Sequence, residues 1–218
     1  MRIIGGAAVL AAALCAMLSA ASAQDTAVAV SAEAQQECDQ GRRAKDRMER
    51  LAHFEKGQQL AEQALASNER LAAAHFALFC SLGEQIRIDG VTVFASFFSF
   101  PRVMRALDRT LELDPNHLDA LSSKGTLLVR LPAILGGDAV KGEQMLLLVL
   151  QRDRKAVNAR LILARLYAGR GNYAEAVALA TEALKLAEDH RQDDLIPEAR
   201  VTLAELQAVT QATVLVTP

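Results

Sequence analysis

The chain has 218 residues, 51% of them hydrophobic, so it is long enough to bury a substantial core. Its 24 Lys and Arg residues nearly balance 26 Asp and Glu residues, giving a formal net charge of −2. That balance argues against nucleic acid as the main partner.

The N-terminus has the three parts of a secretory signal peptide. Arg2 supplies the positive start, residues 3–18 form an apolar run, and Ala21-Ser22-Ala23 resembles a cleavage site. A membrane anchor is the weaker alternative because about 20 apolar residues are needed to span a bilayer. We therefore expect residues 1–23 to be removed, leaving a periplasmic or secreted protein that is not membrane-spanning.

Two cysteines, Cys38 and Cys80, remain after that cleavage. An exported protein meets an oxidising compartment, in which such a pair can form a disulfide. The alternative is that Cys80 is a small buried hydrophobic residue. Neither cysteine has a second cysteine at CxxC spacing, which argues against redox or zinc chemistry.

The mature chain divides into a lead-in, a helical domain and a tail. Residues 24–41 are small and polar without sustained periodicity, which predicts a flexible lead-in. Residues 42–210 carry helical periodicity and form the predicted domain, beginning with helices over about 42–66 and 70–84. Residues 211–218 are expected to be a frayed tail.

The segment 91–100 interrupts this pattern and is rich in phenylalanine. We predict that Pro101 begins the next helix, because its missing amide hydrogen costs nothing there. Phe94, Phe97 and Phe98 have two interpretations. They fill a gap between helices, or they form an exposed contact for a subunit, a partner or a hydrophobic ligand.

Turn residues divide the C-terminal half into further helices. A helix over about 118–131 is followed by Pro132 and a turn at Gly136-Gly137-Asp138, where Asp138 can cap the next helix. Pro197 opens a last amphipathic helix, which we expect to cover the end of the stack.

The clearest hairpin lies between Asn158 and Glu188. Gly171 and Asn172 separate its two helices, as a tight turn with a left-handed residue would. Ala176 and Ala183 are small enough to let the helices approach closely. The apolar positions of the two helices are Leu163, Ala164, Tyr167, Tyr173, Ala176, Ala180, Ala183 and Leu184.

This hairpin resembles the tetratricopeptide (TPR) repeat, whose residue types recur here at the family's spacing. Arg160 replaces the usual first-helix Trp or Leu, and Glu188 replaces the closing Pro. The resemblance implies an all-α, TPR-like superhelical stack of three antiparallel helix pairs with a C-terminal closing helix. Matching second-helix leucines approach the family's period of about 34 residues toward the C-terminus; they are Leu65, Leu111, Leu150 and Leu184.

The string from Arg130 to Asp138, followed by Lys141-Gly142-Glu143, is similar to the elongated turn of the TRAP-transporter T component (TatT). That family consists of exported helical-repeat proteins associated with periplasmic solute-binding proteins of TRAP transporters. The resemblance implies a partner of that type.

The TPR resemblance also implies a concave face lined by the first helix of each pair. Arg165 could pair with a carboxylate there, and Asn158 could bond an extended peptide backbone. The alternative is that these are ordinary polar surface residues. The positions that match the family's groove are Ser122, Thr126, Arg130, Asn158, Leu161 and Arg165.

No constellation of residues points to catalysis. The sequence has no G-x-S-x-G motif, no phosphate-binding glycine loop and no His-x3-His pair. Its four histidines are scattered over different predicted helices: His53, His75, His117 and His190. We therefore expect no enzyme activity, no metal site and no cofactor.

Two functions remain from these observations. The first is an exported scaffold that mediates protein–protein interaction, as an accessory of a TRAP-type uptake system in its narrowest form. The alternative is a periplasmic binding module for a small or hydrophobic ligand that uses the insertion 91–100, where the phenylalanines could also make a homo-oligomer contact.

Overall fold

In a computed structural model, the backbone is described for residues 5–88 and 93–216, and side chains for residues 24–88 and 100–211. All regular secondary structure within these ranges is helical, which confirms the all-α class. The helices in these ranges are α1 (Gly5–Arg43), α2 (Arg47–Ser67), α3 (Ala72–Ile88), α4 (Val93–Leu113), α5 (Leu118–Arg130), α6 (Ala139–Arg152), α7 (Val157–Gly169), α8 (Tyr173–Asp189) and α9 (Ile196–Val216).

The chain forms two compact units, Met1–Pro115 and Asn116–Pro218. In the first unit α1 packs against α2 and α3 packs against α4, while α3 also contacts both α1 and α2. In the second unit α5 packs against α6, α7 against α8, and α8 against α9. Each unit is therefore built from helical hairpins, as the TPR-like prediction requires.

Helix α1 occupies the segment that was predicted to be a flexible lead-in. Ala27, Ser31, Ala34 and Cys38 are buried at three- and four-residue steps, which places them on one face of the helix. Small residues on that face let α2 approach closely, so this segment is a packed helix. The described part of the chain consequently holds four hairpins and a closing helix, one hairpin more than predicted.

Helix α4 also differs from its prediction. It begins at Val93 and contains Pro101 in its interior, so the expectation that Pro101 starts the helix is wrong. The side chains of Phe94, Phe97 and Phe98 lie outside the part of the chain whose side chains are described. Both interpretations of the phenylalanine-rich segment therefore stay predictions.

The α5–α6 hairpin crosses at two glycines. A Cβ on Gly142 would lie 2.7 Å from the carbonyl oxygen of Gly125 and 2.8 Å from Val129 Cγ2. A Cβ on Gly125 would lie 2.9 Å from Leu146 Cγ. The two backbones are therefore closer than any side chain at the crossing would allow.

An extended turn joins α5 to α6 and contains a short 3₁₀ segment, Ala133–Leu135. Gly136 adopts a left-handed conformation with φ of 86°. The backbone amide of Asp138 donates to the Leu128 carbonyl at 2.9 Å. The Asp138 carboxylate accepts from the amide of Lys141 at 3.0 Å, which confirms the predicted cap.

The α7–α8 hairpin has the predicted small-residue crossing. Ala176 and Ala183 are fully buried, as are Leu163 and Ala164 of the facing helix. Gly171 in the turn has φ of 82°, which confirms the predicted left-handed residue. These contacts make the hairpin TPR-like in structure as well as in sequence.

Arg160 is buried at the family's usual Trp or Leu position. Its Nη2 atom donates to Glu182 Oε1 on α8 at 3.1 Å, and its Nη1 atom donates to the Ala156 carbonyl at 3.2 Å. An ion pair between the two helices thus replaces an apolar contact.

Helix α9 closes the second unit. Ala199, Thr202 and Leu206 are buried, and Ala199 joins an apolar cluster with Val157 and Leu161. Among the residues that are described, no helix combines the length and apolar character required to cross a membrane.

Candidate interaction face on α5, α7 and α9

The first helices of the second unit lie side by side. Helix α5 contacts α7, and α7 contacts α9. Ser122, Thr126 and Arg130 follow one another at four-residue steps and therefore share a stripe on α5. This arrangement forms the interaction face, which we define as the polar stripe of α5, the neighbouring polar residues of α7 and the first turns of α9.

Arg165 is the most strongly held side chain on the interaction face. Its Nη1 atom donates to Glu198 Oε1 at 2.7 Å, and its Nη2 atom donates to Thr202 Oγ1 at 2.8 Å. Arg130 Nη2 lies 3.8 Å from the same Glu198 oxygen. One carboxylate on α9 therefore gathers arginines from α5 and α7, and fixes the guanidinium of Arg165 in one orientation.

Two further predicted residues contribute polar groups. Thr126 is half-buried, and its hydroxyl donates to the Ser122 carbonyl at 2.8 Å. Asn158, near the start of α7, is also half-buried. The interaction face therefore offers amide, hydroxyl and guanidinium groups, which suit hydrogen bonds to a polypeptide.

Leu161 does not lie on the interaction face. It is fully buried and packs with Val157, Ala183 and Ala187. The expectation that it lines the exposed face is corrected, because its position on α7 points into the core between α7, α8 and α9.

Glu198 and Thr202 were not among the predicted residues, since α9 was expected only to cover the end of the stack. Glu198 lies in the first turn of α9, where a carboxylate is favoured by the helix dipole. The four-residue step from Glu198 to Thr202 was the available signal, because it places both side chains on the same side of α9.

A second polar cluster joins α6 to α7. Burial and a hydrogen bond with the Glu143 carboxylate raise the pKa of Tyr167 to about 12. Arg170 Nη1 donates to Glu143 Oε2 at 2.6 Å. This cluster lies in the packing between successive hairpins, so it stabilises the second unit.

In the first unit, Cys38 and Cys80 are joined by a disulfide, with their Cα atoms 6.2 Å apart. The bond links α1 to α3 and lies in a buried cluster with Phe54. Beside it, the buried Glu37 carboxylate accepts from Lys56 Nζ at 2.5 Å and bonds His53 Nδ1 at 2.7 Å.

The histidines are not gathered into a metal site. His75 Nε2 bonds the Glu69 carbonyl at 2.9 Å, and His117 accepts from the Ala120 amide at the start of α5. Within the described residues, no group of three or more His, Cys, Asp or Glu side chains could hold a metal ion.

Comparison with known proteins gives little beyond this geometry. No family model matches the chain, and no curated protein matches it. Solved structures do match, among them one titled "MamA RS-1 ArsTM double mutant". It is 16% identical with a TM-score of 0.45, and the match covers 81% of this chain and 97% of that one. A likeness at this score supports no conclusion about function.

Proposed function

We propose that the chain is an exported, TPR-like scaffold that binds a protein or peptide partner through the interaction face of its second unit. The proposal assigns no catalysis and no cofactor to the chain. The observation that carries it is the convergence of Arg130 and Arg165 on Glu198, which orients polar groups from three adjacent helices toward one surface.

A pre-oriented arginine is well suited to recognising a peptide. Because the Arg165 guanidinium is already held in place, it loses less conformational entropy when a partner binds. Its side chain is still 37% exposed, so a partner can reach it. Ser122, Thr126 and Asn158 add hydrogen-bonding groups along the neighbouring helices.

Export is the second part of the proposal. The N-terminal sequence has the parts of a signal peptide. The Cys38–Cys80 disulfide agrees with an oxidising compartment, where such bonds persist. A periplasmic or secreted location accounts for both features.

The narrowest form of the proposal is a TRAP-type solute-binding protein as the partner. It rests on the local string from Arg130 to Asp138 and on the extended turn that this string forms. The turn follows directly from Arg130, the last residue of α5 and part of the interaction face.

The test is a pull-down from a periplasmic extract with matched threonine variants. Thr126 on α5 and Thr181 on α8 both donate their hydroxyl to the carbonyl four residues earlier, each at 2.8 Å. We expect Thr126→Arg to lose the captured partner and Thr181→Arg to keep it, as measured by quantitative mass spectrometry.

Circular dichroism melts of both variants check that each remains folded. Capture of the same proteins at the same level by Thr126→Arg would place the contact elsewhere. Loss in both variants, despite intact folding, would also refute the interaction face as the binding surface.

A further inference from the structure

An open groove of about 460 Å³ lies in the first unit, between the end of α2, the first turns of α3 and the second half of α4. Leu65, Leu78 and Ala106 give it an apolar lining. Leu78 and Ala106 belong to the buried core of the unit, so this lining is anchored. The volume is in the range of small-molecule sites.

One side of the groove is an arginine row. Arg102, Arg105 and Arg109 line it at three- and four-residue steps, so they share one side of α4. Arg102 Nη2 donates to Glu62 Oε1 at 2.5 Å, and Arg109 Nη1 donates to Glu112 Oε2 at 2.9 Å.

Arg105, in the middle of this row, is different. It is exposed, and within the described residues it makes no hydrogen bond or ion pair. Its two neighbours in the row are already paired with Glu62 and Glu112, so Arg105 is the arginine of this row whose guanidinium remains available to an anion. Carboxylate and phosphate groups match the donor geometry of a guanidinium.

Three acidic residues also line the groove and restrict what it can hold. Glu112 forms an ion pair with Arg109, and Asp108 also interacts with another group of the protein. Glu69 also lines the groove, and its backbone carbonyl accepts from His75 Nε2. These negative charges repel an anion that carries several charges, so we expect a ligand with a single anionic group.

We propose that this groove binds a small organic monocarboxylate with a short apolar chain. The carboxylate lies on Arg105, and the chain lies on Leu65, Leu78 and Ala106. This site is in the first unit and goes beyond the proposed scaffold function, which concerns α5, α7 and α9. Either can fail without the other.

Titration of the full chain with hexanoate, followed by calorimetry and by amide chemical shifts, tests the site. Hexan-1-ol, hexylamine and sulfate are the matched probes, since each keeps only one half of the ligand's chemistry or reverses its charge. We expect saturable hexanoate binding that is tighter than for any of the three, with shifted amides confined to α2, α3 and α4.

Arg105→Gln should weaken hexanoate binding at least about tenfold, and Arg105→Lys should weaken it less. Arg154→Gln is the control, because Arg154 is exposed and, among the described residues, also makes no ion pair. Its affinity should equal that of the wild type.

Several results would overturn the site. Equal binding of hexanoate and sulfate would mean that the apolar lining is not used. Equal binding of hexanoate and hexan-1-ol would mean that the arginine is not used. Unchanged affinity in Arg105→Gln, or shifted amides outside α2, α3 and α4, would show that hexanoate does not bind in this groove.

Discussion

The two units follow one plan, packed helical hairpins, but are held together by different means. The first unit has a covalent bond between α1 and α3 and a buried carboxylate beside it. In the second unit the two helices of each hairpin pack through small residues, Gly125 of α5 against Gly142 of α6, and Ala176 and Ala183 of α8 against α7. TPR-like residue patterns are visible in the sequence mainly where small residues form the crossing.

The largest expected effect comes from removing the disulfide, which should destabilise the first unit and leave the second unit unchanged. Closing a loop over a sequence separation of 42 residues contributes about 4 kcal/mol in the chain-entropy account. Cys38→Ser with Cys80→Ser should therefore lower the stability of the first unit by about that amount. Hydrogen exchange should accelerate in α1 and α3.

The α7 and α8 amides serve as the internal control, because the second unit has no part in the bond. Equal acceleration in both units would contradict the view that the disulfide acts locally. Unchanged exchange throughout would show that the bond adds nothing to folding.

The converse experiment attacks the second unit. Gly142→Ala places a Cβ 2.7 Å from the Gly125 carbonyl oxygen, which must push the backbones apart. We expect a loss of about 2 kcal/mol, measured by urea unfolding. Gly169→Ala is the matched control, since a Cβ there meets nothing within 4 Å. Equal stability of the two variants would mean that the crossing is not tightly packed.

The buried carboxylate gives the first unit a pH dependence. Burial alone would raise the pKa of Glu37, but hydrogen bonds from Lys56 and His53 outweigh it and hold the pKa below its ordinary value of 4.5. The stabilisation is therefore complete above 4.5 and is lost as the pH falls through the lower folded value.

Glu37→Gln should cost about 1.5 kcal/mol near neutral pH. The difference from the wild type should shrink below pH 4.5. Urea unfolding at both conditions measures it, and a difference that does not change with pH would refute a role for the charge.

The smallest expected effect concerns the α6–α7 packing of the second unit. Tyr167→Phe removes the hydrogen bond to Glu143 and should cost about 1 kcal/mol. Burial first and Glu143 second raise the pKa of Tyr167 to about 12, so its contribution is complete below the ordinary value of 10.0 and is lost as the pH rises through 12.

Ultraviolet absorbance of tyrosinate measures this directly, because the chain has only two tyrosines. The difference between wild type and Tyr167→Phe isolates the Tyr167 titration. A midpoint near 10 would contradict burial of the hydroxyl beside a carboxylate.

The sequence predicted helices α5 to α8 and the start of α9 well, because turn residues and apolar periodicity agree there. Asp138 caps α6, and Gly171 is left-handed, as expected. The hairpin between Asn158 and Glu188 is the region where local preference and packing point the same way.

The first unit was predicted less well. The buried face of α1 consists of small residues such as Ala27, Ser31 and Ala34, which carry little hydrophobic signal. Pro101 was placed at a helix start, but α4 begins at Val93, eight residues before it. In α1, packing against α2 and α3 overrides the weak local signal.

The interaction face was predicted in part from the sequence. The polar stripe of α5 and Arg165 were identified by their match to the groove positions of the TPR family. Glu198 was not predicted, because its hydrogen bond with Arg165 joins positions 33 residues apart in the sequence. Leu161 was misplaced because α7 is buried on most of its sides, so a residue on the same stripe as Asn158 and Arg165 can still be enclosed.

The position of the buried residues along α1 has a consequence for biogenesis. Ala27, Ser31, Ala34 and Cys38 all follow the predicted cleavage site after Ala23. A peptidase acting there would leave these contacts in the mature chain, together with the cysteine that pairs with Cys80. Under the export proposal, removal of the leader would therefore not prevent the disulfide from forming.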